Sequence, residues 1–166
     1  MRPIDRAPAR LSSVASCVAA GGATIASGRY SWYGLAVGIV GTLVLVAGVT
    51  RGSRSRVTFG SAGLFVAALV AGVQGATVGA TLVGVAAAVL AWDLGTSAIG
   101  IGRQLGREAS TRRLELVHIA ASAAVGAVTI GAGYLLYEGA GGGQPLSTLL
   151  LLILASVVLL AAIVRE

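Results

Sequence analysis

The chain has 166 residues, 56% of them hydrophobic and only 11% charged, with a mean hydropathy of +0.90. Soluble domains carry roughly 25% charged residues, so a soluble globular fold is excluded, and 25 glycines without a Gly-x-y period exclude a collagen-like chain. The net charge of +6 comes from twelve arginines against six acids, but the arginines form no groove or stripe, so nucleic acid is not an expected partner.

A helix needs about 20 mainly apolar residues to cross a bilayer, and within it every backbone polar group must be bonded inside the segment. Taken in chain order, six stretches qualify. Residues 11–28 come first and are diluted by Ser, Thr and Gly; residues 31–50 follow, opened by an interfacial Tyr30, Trp32 and Tyr33 cluster. Then come 57–73, 76–99 with one acid inside, 116–137, and 146–164, the most apolar of all. No segment alternates polar and apolar residues as a membrane barrel strand requires. The expected fold is therefore all-α: a polytopic membrane protein of six transmembrane helices, with residues 1–10 as an N-terminal segment and 11–166 as a single domain.

The arginines test this reading independently, because they fall almost entirely in alternate links. Arg2, Arg6 and Arg10 precede the first span; Arg51, Arg54 and Arg56 lie between the second and third. Arg103, Arg107, Arg112 and Arg113 lie between the fourth and fifth, and Arg165 follows the sixth. Only Arg29 falls on the opposite side. That asymmetry predicts both termini in the cytoplasm of a cell membrane. The links on the other side, 29–30, 74–75 and 138–145, are short, which predicts three antiparallel hairpins, 1 with 2, 3 with 4 and 5 with 6. A competing reading makes the first stretch a cleaved secretory signal and leaves five spans, but Gly21 and Gly22 interrupt its apolar core.

Asp93 is the most informative residue, because a carboxylate within a span costs several kcal/mol and usually faces the bundle interior or a wet cavity. It lies six residues from the end of the expected fourth span, hence about 9 Å below the cytoplasmic edge at 1.5 Å per residue. His118 enters the fifth span at comparable depth, so the two are expected to approach across antiparallel helices. Such a pair can share a proton, and histidine titrates near neutrality. The plainer expectation is an interhelical contact fixing register, with Arg112 or Arg113 as a further partner.

Other chemistries lack parts. Glu115 and His118 have Glu-x-x-His spacing, but a carboxylate-bridged metal bundle needs two such motifs and the chain has one His, so no metal or other cofactor is expected. No G-x-S-x-G turn is present for a serine nucleophile, and only Asp93 is well inside a span where an aspartyl mechanism needs two acids. The single Cys17 excludes an intrachain disulfide. Glycine pairs four residues apart, such as Gly34/Gly38 and Gly48/Gly52, are about as frequent as composition dictates. The Gly- and Ala-rich spans one to five can still pack backbone to backbone, whereas the bulky sixth is suited to lipid or a partner subunit.

The connector 100–115 is the longest polar segment, and its charges, Arg103, Arg107, Glu108, Arg112, Arg113 and Glu115, mix both signs. The Glu108 to Arg112 spacing of i,i+4 favours an interfacial or protruding helix that runs into the fifth span. These six residues form a candidate cytoplasmic docking site; the alternative is a solvated connector whose arginines rest on anionic lipid headgroups.

The run WDLGTSAIGIGRQLGREASTRRLELVH, residues 92–118, resembles a family of small uncharacterised haloarchaeal multi-pass membrane proteins, with looser similarity over the fifth span and the Gly-Gly-Gln-Pro turn at 142–145. Members of such families are often encoded near a MoxR-type ATPase and transglutaminase-like membrane proteins. The resemblance thus implies an accessory role in an envelope-associated assembly, and it transfers no catalytic residue. The expected function is non-enzymatic: a structural or accessory subunit with the bilayer, protein partners or further copies of itself as its company. The alternative is a small transporter or channel with Asp93 as its coupling acid.

Overall fold

The structure, a computed structural model, describes residues 7–105, 111–139 and 153. It is all-α. The described residues form five helices, each long and apolar enough to cross a membrane: α1 Arg10–Gly28, α2 Trp32–Thr50, α3 Arg54–Val73, α4 Val78–Leu105 and α5 Arg112–Gly139. The expected sixth span, 146–164, lies outside the described residues apart from Ile153.

Local chemistry sets the helix ends. Ser31 caps α2 by accepting the Gly34 N–H at 2.7 Å, and Thr77 accepts the Ala80 N–H ahead of α4 at 3.2 Å. Helices α2 and α3 both stop at a glycine with positive φ, Gly52 at 63° and Gly75 at 98°. In each case the next N–H reaches back to the helix, Ser53 to the Gly48 carbonyl and Ala76 to the Ala71 carbonyl, closing a Schellman turn. The charged first turns of α3 and α5 and the last turn of α4 extend beyond the apolar runs, because charge does not prevent helix formation outside a hydrocarbon layer.

Helices α1 to α4 close into a ring, with α2 against α3 and α1 against α4 as the most extensive pairs. Hairpin-mates are therefore not the dominant neighbours, in contrast to the pairing that short links suggest. Backbone approach explains the difference. Gly41 and Gly60 leave no room for side chains: a Cβ on Gly60 would meet the Leu45 nitrogen at 2.5 Å, and one on Gly41 the Gly60 carbonyl oxygen at 2.8 Å. Between α1 and α4, the Ser16 hydroxyl donates to the Ala91 carbonyl at 2.6 Å, and the Ala9 N–H donates to the Ala98 carbonyl at 3.0 Å.

Small and hydroxyl-bearing residues meet at the helix contacts around a core that includes Leu45, Val49, Val57, Leu64 and Ile99, and many large apolar side chains face outward. Helix α1 buries Ser12, Ser16, Ala20, Ala23, Thr24 and Ser27 while exposing Val14, Val18 and Ile25. Helix α2 buries four glycines and exposes Trp32, Tyr33, Val40 and Leu43. Water would drive the opposite arrangement; small residues at helix contacts with large apolar ones outward suit a lipid solvent.

Helix α5 lies outside the ring, against α4 and α1. It uses one narrow stripe of Glu115, His118, Ser122, Gly126 and Gly133; Gly126 faces Leu90 and Gly133 faces Leu82. Val117, Val125, Val128, Leu135 and Leu136 are exposed.

Candidate functional site

The antiparallel contact of α4 with α5 brings Asp93 and His118 together. His118 Nε2 lies 3.2 Å from Asp93 Oδ2, with the two side chains 35% and 37% exposed respectively. That nitrogen is itself buried and lacks the alignment of a hydrogen bond. The same carboxylate oxygen accepts the Ser122 hydroxyl at 2.6 Å, one turn further along α5. Asp93 is thus bonded to Ser122 and approached by His118, and neither Arg112 nor Arg113 reaches it: both are exposed and, among the described residues, ion-paired to no carboxylate.

The order of the three groups limits their chemistry. Asp93 sits between the other two, and Ser122 donates to the acid rather than to the imidazole. A serine nucleophile needs the base at its own hydroxyl; here the hydroxyl anchors a carboxylate. The imidazole and the carboxylate lie 3.2 Å apart without a hydrogen bond between them. On the flank of α4 away from α5, the Trp92 indole N–H donates to Thr58 of α3 at 3.1 Å. Among the described residues no group of three metal-ligating side chains assembles.

The connector divides. Residues 100–105 continue α4, and Arg112 opens α5 so that its charged first turn runs into the fifth span; Arg107 and Glu108 lie outside the described residues. Packing explains the continuation through Gly102, where a Cβ would strike the Ala7 carbonyl oxygen of the segment laid against α4. Arg103 is exposed, and its Nη2 donates to the Gly52 carbonyl at 2.9 Å.

Glu115 requires the larger correction. Expected among the cytoplasmic docking residues, it is only 4% exposed and sits beneath the start of α1. Its Oε2 accepts the Ser12 N–H at 2.9 Å and the Ser12 hydroxyl at 3.2 Å, and its Oε1 accepts the Thr111 hydroxyl at 2.9 Å. Ala9, at the cap position of α1, offers no side-chain acceptor, so a carboxylate from α5 performs that task.

Sequence reasoning missed Ser12, Ser16 and Ser122. The signal was present as spacing: Ser12, Ser16, Ala20 and Thr24 recur every four residues along one face of α1, and Ser122 follows His118 by four.

Compared with known proteins, residues 6–160 match the model of a protein family described as a family of unknown function, DUF7519. No curated protein and no solved structure matches the chain.

Proposed function

The chain belongs to the DUF7519 family, and we propose that it is a non-enzymatic integral membrane protein, a structural or accessory subunit of a complex in the cell membrane. In this reading the stretch 146–164 supplies a sixth span that pairs with α5, both termini are cytoplasmic, and the charged end of the bundle faces the cytosol. The haloarchaeal likeness and the envelope-associated assembly it implies belong to the same proposal.

The observation that supports it is that hydroxyls of α1 inside the ring bond across helix contacts, the buried Ser61 hydroxyl of α3 being left without a partner among the described residues. Ser12 is bonded to Glu115 of α5, Ser16 to the Ala91 carbonyl of α4, and Thr24 to Thr42 and the Gly38 carbonyl of α2, whereas Ser27 bonds the Ala23 carbonyl of its own helix. Hydroxyls that bond across a contact join helices, which suits a structural role. Isolation of the tagged protein in mild detergent over a range of ionic strengths tests the subunit role. One membrane protein co-isolating in fixed stoichiometry is expected; the monomer alone under every condition contradicts it.

A second reading, a small transporter or channel, is favoured by the Asp93–His118 approach within apolar helices. There Asp93→Asn abolishes ion flux in proteoliposomes while the fold persists. Unchanged flux in the variant, or none in the wild type, removes this reading.

A further inference from the structure

We propose that the arginine-rich end of the bundle binds anionic phospholipid headgroups, with Arg54 and Arg103 as the principal phosphate clamp across the α3–α4 seam. This rests on the membrane-spanning reading above and adds the ligand class of that end.

The helix ends gather the charges. Arg10 opens α1, Arg51 follows α2, Arg54 and Arg56 lie in the first turn of α3, Arg103 in the last turn of α4, and Arg112 and Arg113 open α5. The Ser12–Glu115, Ala9–Ala98 and Arg103–Gly52 contacts place these ends together, and Arg29 is at the other. Such a concentration of like charge is unfavourable without counter-anions.

The chain supplies none among its described residues. Glu115 is buried and occupied by Ser12 and Thr111, Asp93 lies deeper with His118 and Ser122, and no described arginine is ion-paired to a described carboxylate. Among the described residues this end therefore has no counter-anion, and an anion from outside would compensate its charge.

Geometry selects Arg54 and Arg103. Arg103 reaches from α4 to the α2–α3 turn, where one N–H is used on the Gly52 carbonyl. Arg54 reaches the opposite way, its Nη2 lying 3.2 Å from the position a Cβ on Gly100 would take. Gly100 precedes Arg103 by one turn on the same α4 face, so the two guanidiniums cross one seam, and each retains N–H donors in the planar fork that suits phosphate.

The neighbouring surface points to a lipid phosphate rather than an acidic protein. Phe59, one turn from Arg56, is 73% exposed, and Val117, one turn from Arg113, is 61% exposed. Guanidiniums directly above outward-facing apolar side chains sit where a bilayer places its phosphates.

The test uses the full chain in nanodiscs of phosphatidylcholine alone or doped with phosphatidylglycerol, read by thermal unfolding and by native mass spectrometry of retained lipid. Phosphatidylglycerol is expected to raise the unfolding midpoint by about 4 °C and to be retained selectively. Arg54→Gln/Arg103→Gln should lose most of that rise and the retained lipid, whereas Arg29→Gln keeps both. Arg54→Lys/Arg103→Lys, which preserves charge without the fork, should keep part of the rise if the glutamine pair proves too unstable to read. Equal midpoints in both lipids, a rise that survives in the glutamine pair, or inorganic phosphate in phosphatidylcholine discs reproducing it would each overturn the proposal. Failure to enter either nanodisc would instead overturn the membrane reading beneath it.

Discussion

The Glu115 carboxylate on α5 holds the first turn of α1, accepting the Ser12 N–H at 2.9 Å across 103 positions of sequence. Three hydrogen bonds converge on this buried group, and it joins the start of the first helix to the start of the fifth. Helix α5, which otherwise touches the ring along a thin stripe, is fixed at one end by Glu115 and further along by the Asp93–Ser122 bond.

Removing the Glu115 carboxylate should loosen both helices. Glu115→Ala is expected to lower stability by about 2–3 kcal/mol, the range for hydrogen bonds to a charged group, and Glu115→Gln by roughly half that. Unfolding in detergent gives the magnitude, and hydrogen exchange locates it: the Ser12 amide should lose protection. Unchanged exchange at Ser12 would show that the contact does not hold α1.

The α2–α3 contact makes a prediction with an internal control. Gly60→Ala places a methyl group against the Leu45 and Gly41 backbone and should cost about 1–3 kcal/mol, as overpacking does. Gly21→Ala meets nothing within 4 Å and should be neutral or slightly stabilising. Equal losses in the two variants would mean that the helices do not approach as described.

At the α4–α5 seam, Ser122→Ala should cost about 1 kcal/mol in the wild-type background and almost nothing in Asp93→Ala, because the hydroxyl has then lost its acceptor. Additive losses in a double-mutant cycle would show that the two residues act independently.

Apolar length located all five described helices, with ends displaced wherever arginines extend a helix past its hydrophobic run, as Arg54 and Arg56 do in α3. Matching the depth of Asp93 and His118 from opposite helix directions anticipates their approach, because a charge in a span is expensive enough to need a partner. Ser122 carries only its four-residue spacing from His118 and no charge that demands a partner, since a serine in a helix can bond its own backbone. The pairing of α2 with α3 depends on which glycines share a face at the contact, and a count of Gly pairs averages over all faces. Glu115 was least legible: next to Arg112 and Arg113 it reads as solvated, and its partner Ser12 is brought near only by the complete ring.

Substituted-cysteine labelling tests the central claim, that these helices thread a membrane with the arginine end in the cytosol. In a Cys17→Ser background, Gln74→Cys and Ser55→Cys place one exposed thiol at each end of α3. A membrane-impermeant maleimide on intact cells is predicted to label Gln74→Cys at once and Ser55→Cys only after permeabilisation. Labelling of Ser55→Cys from outside, or equal labelling of both positions in intact cells, would contradict the account.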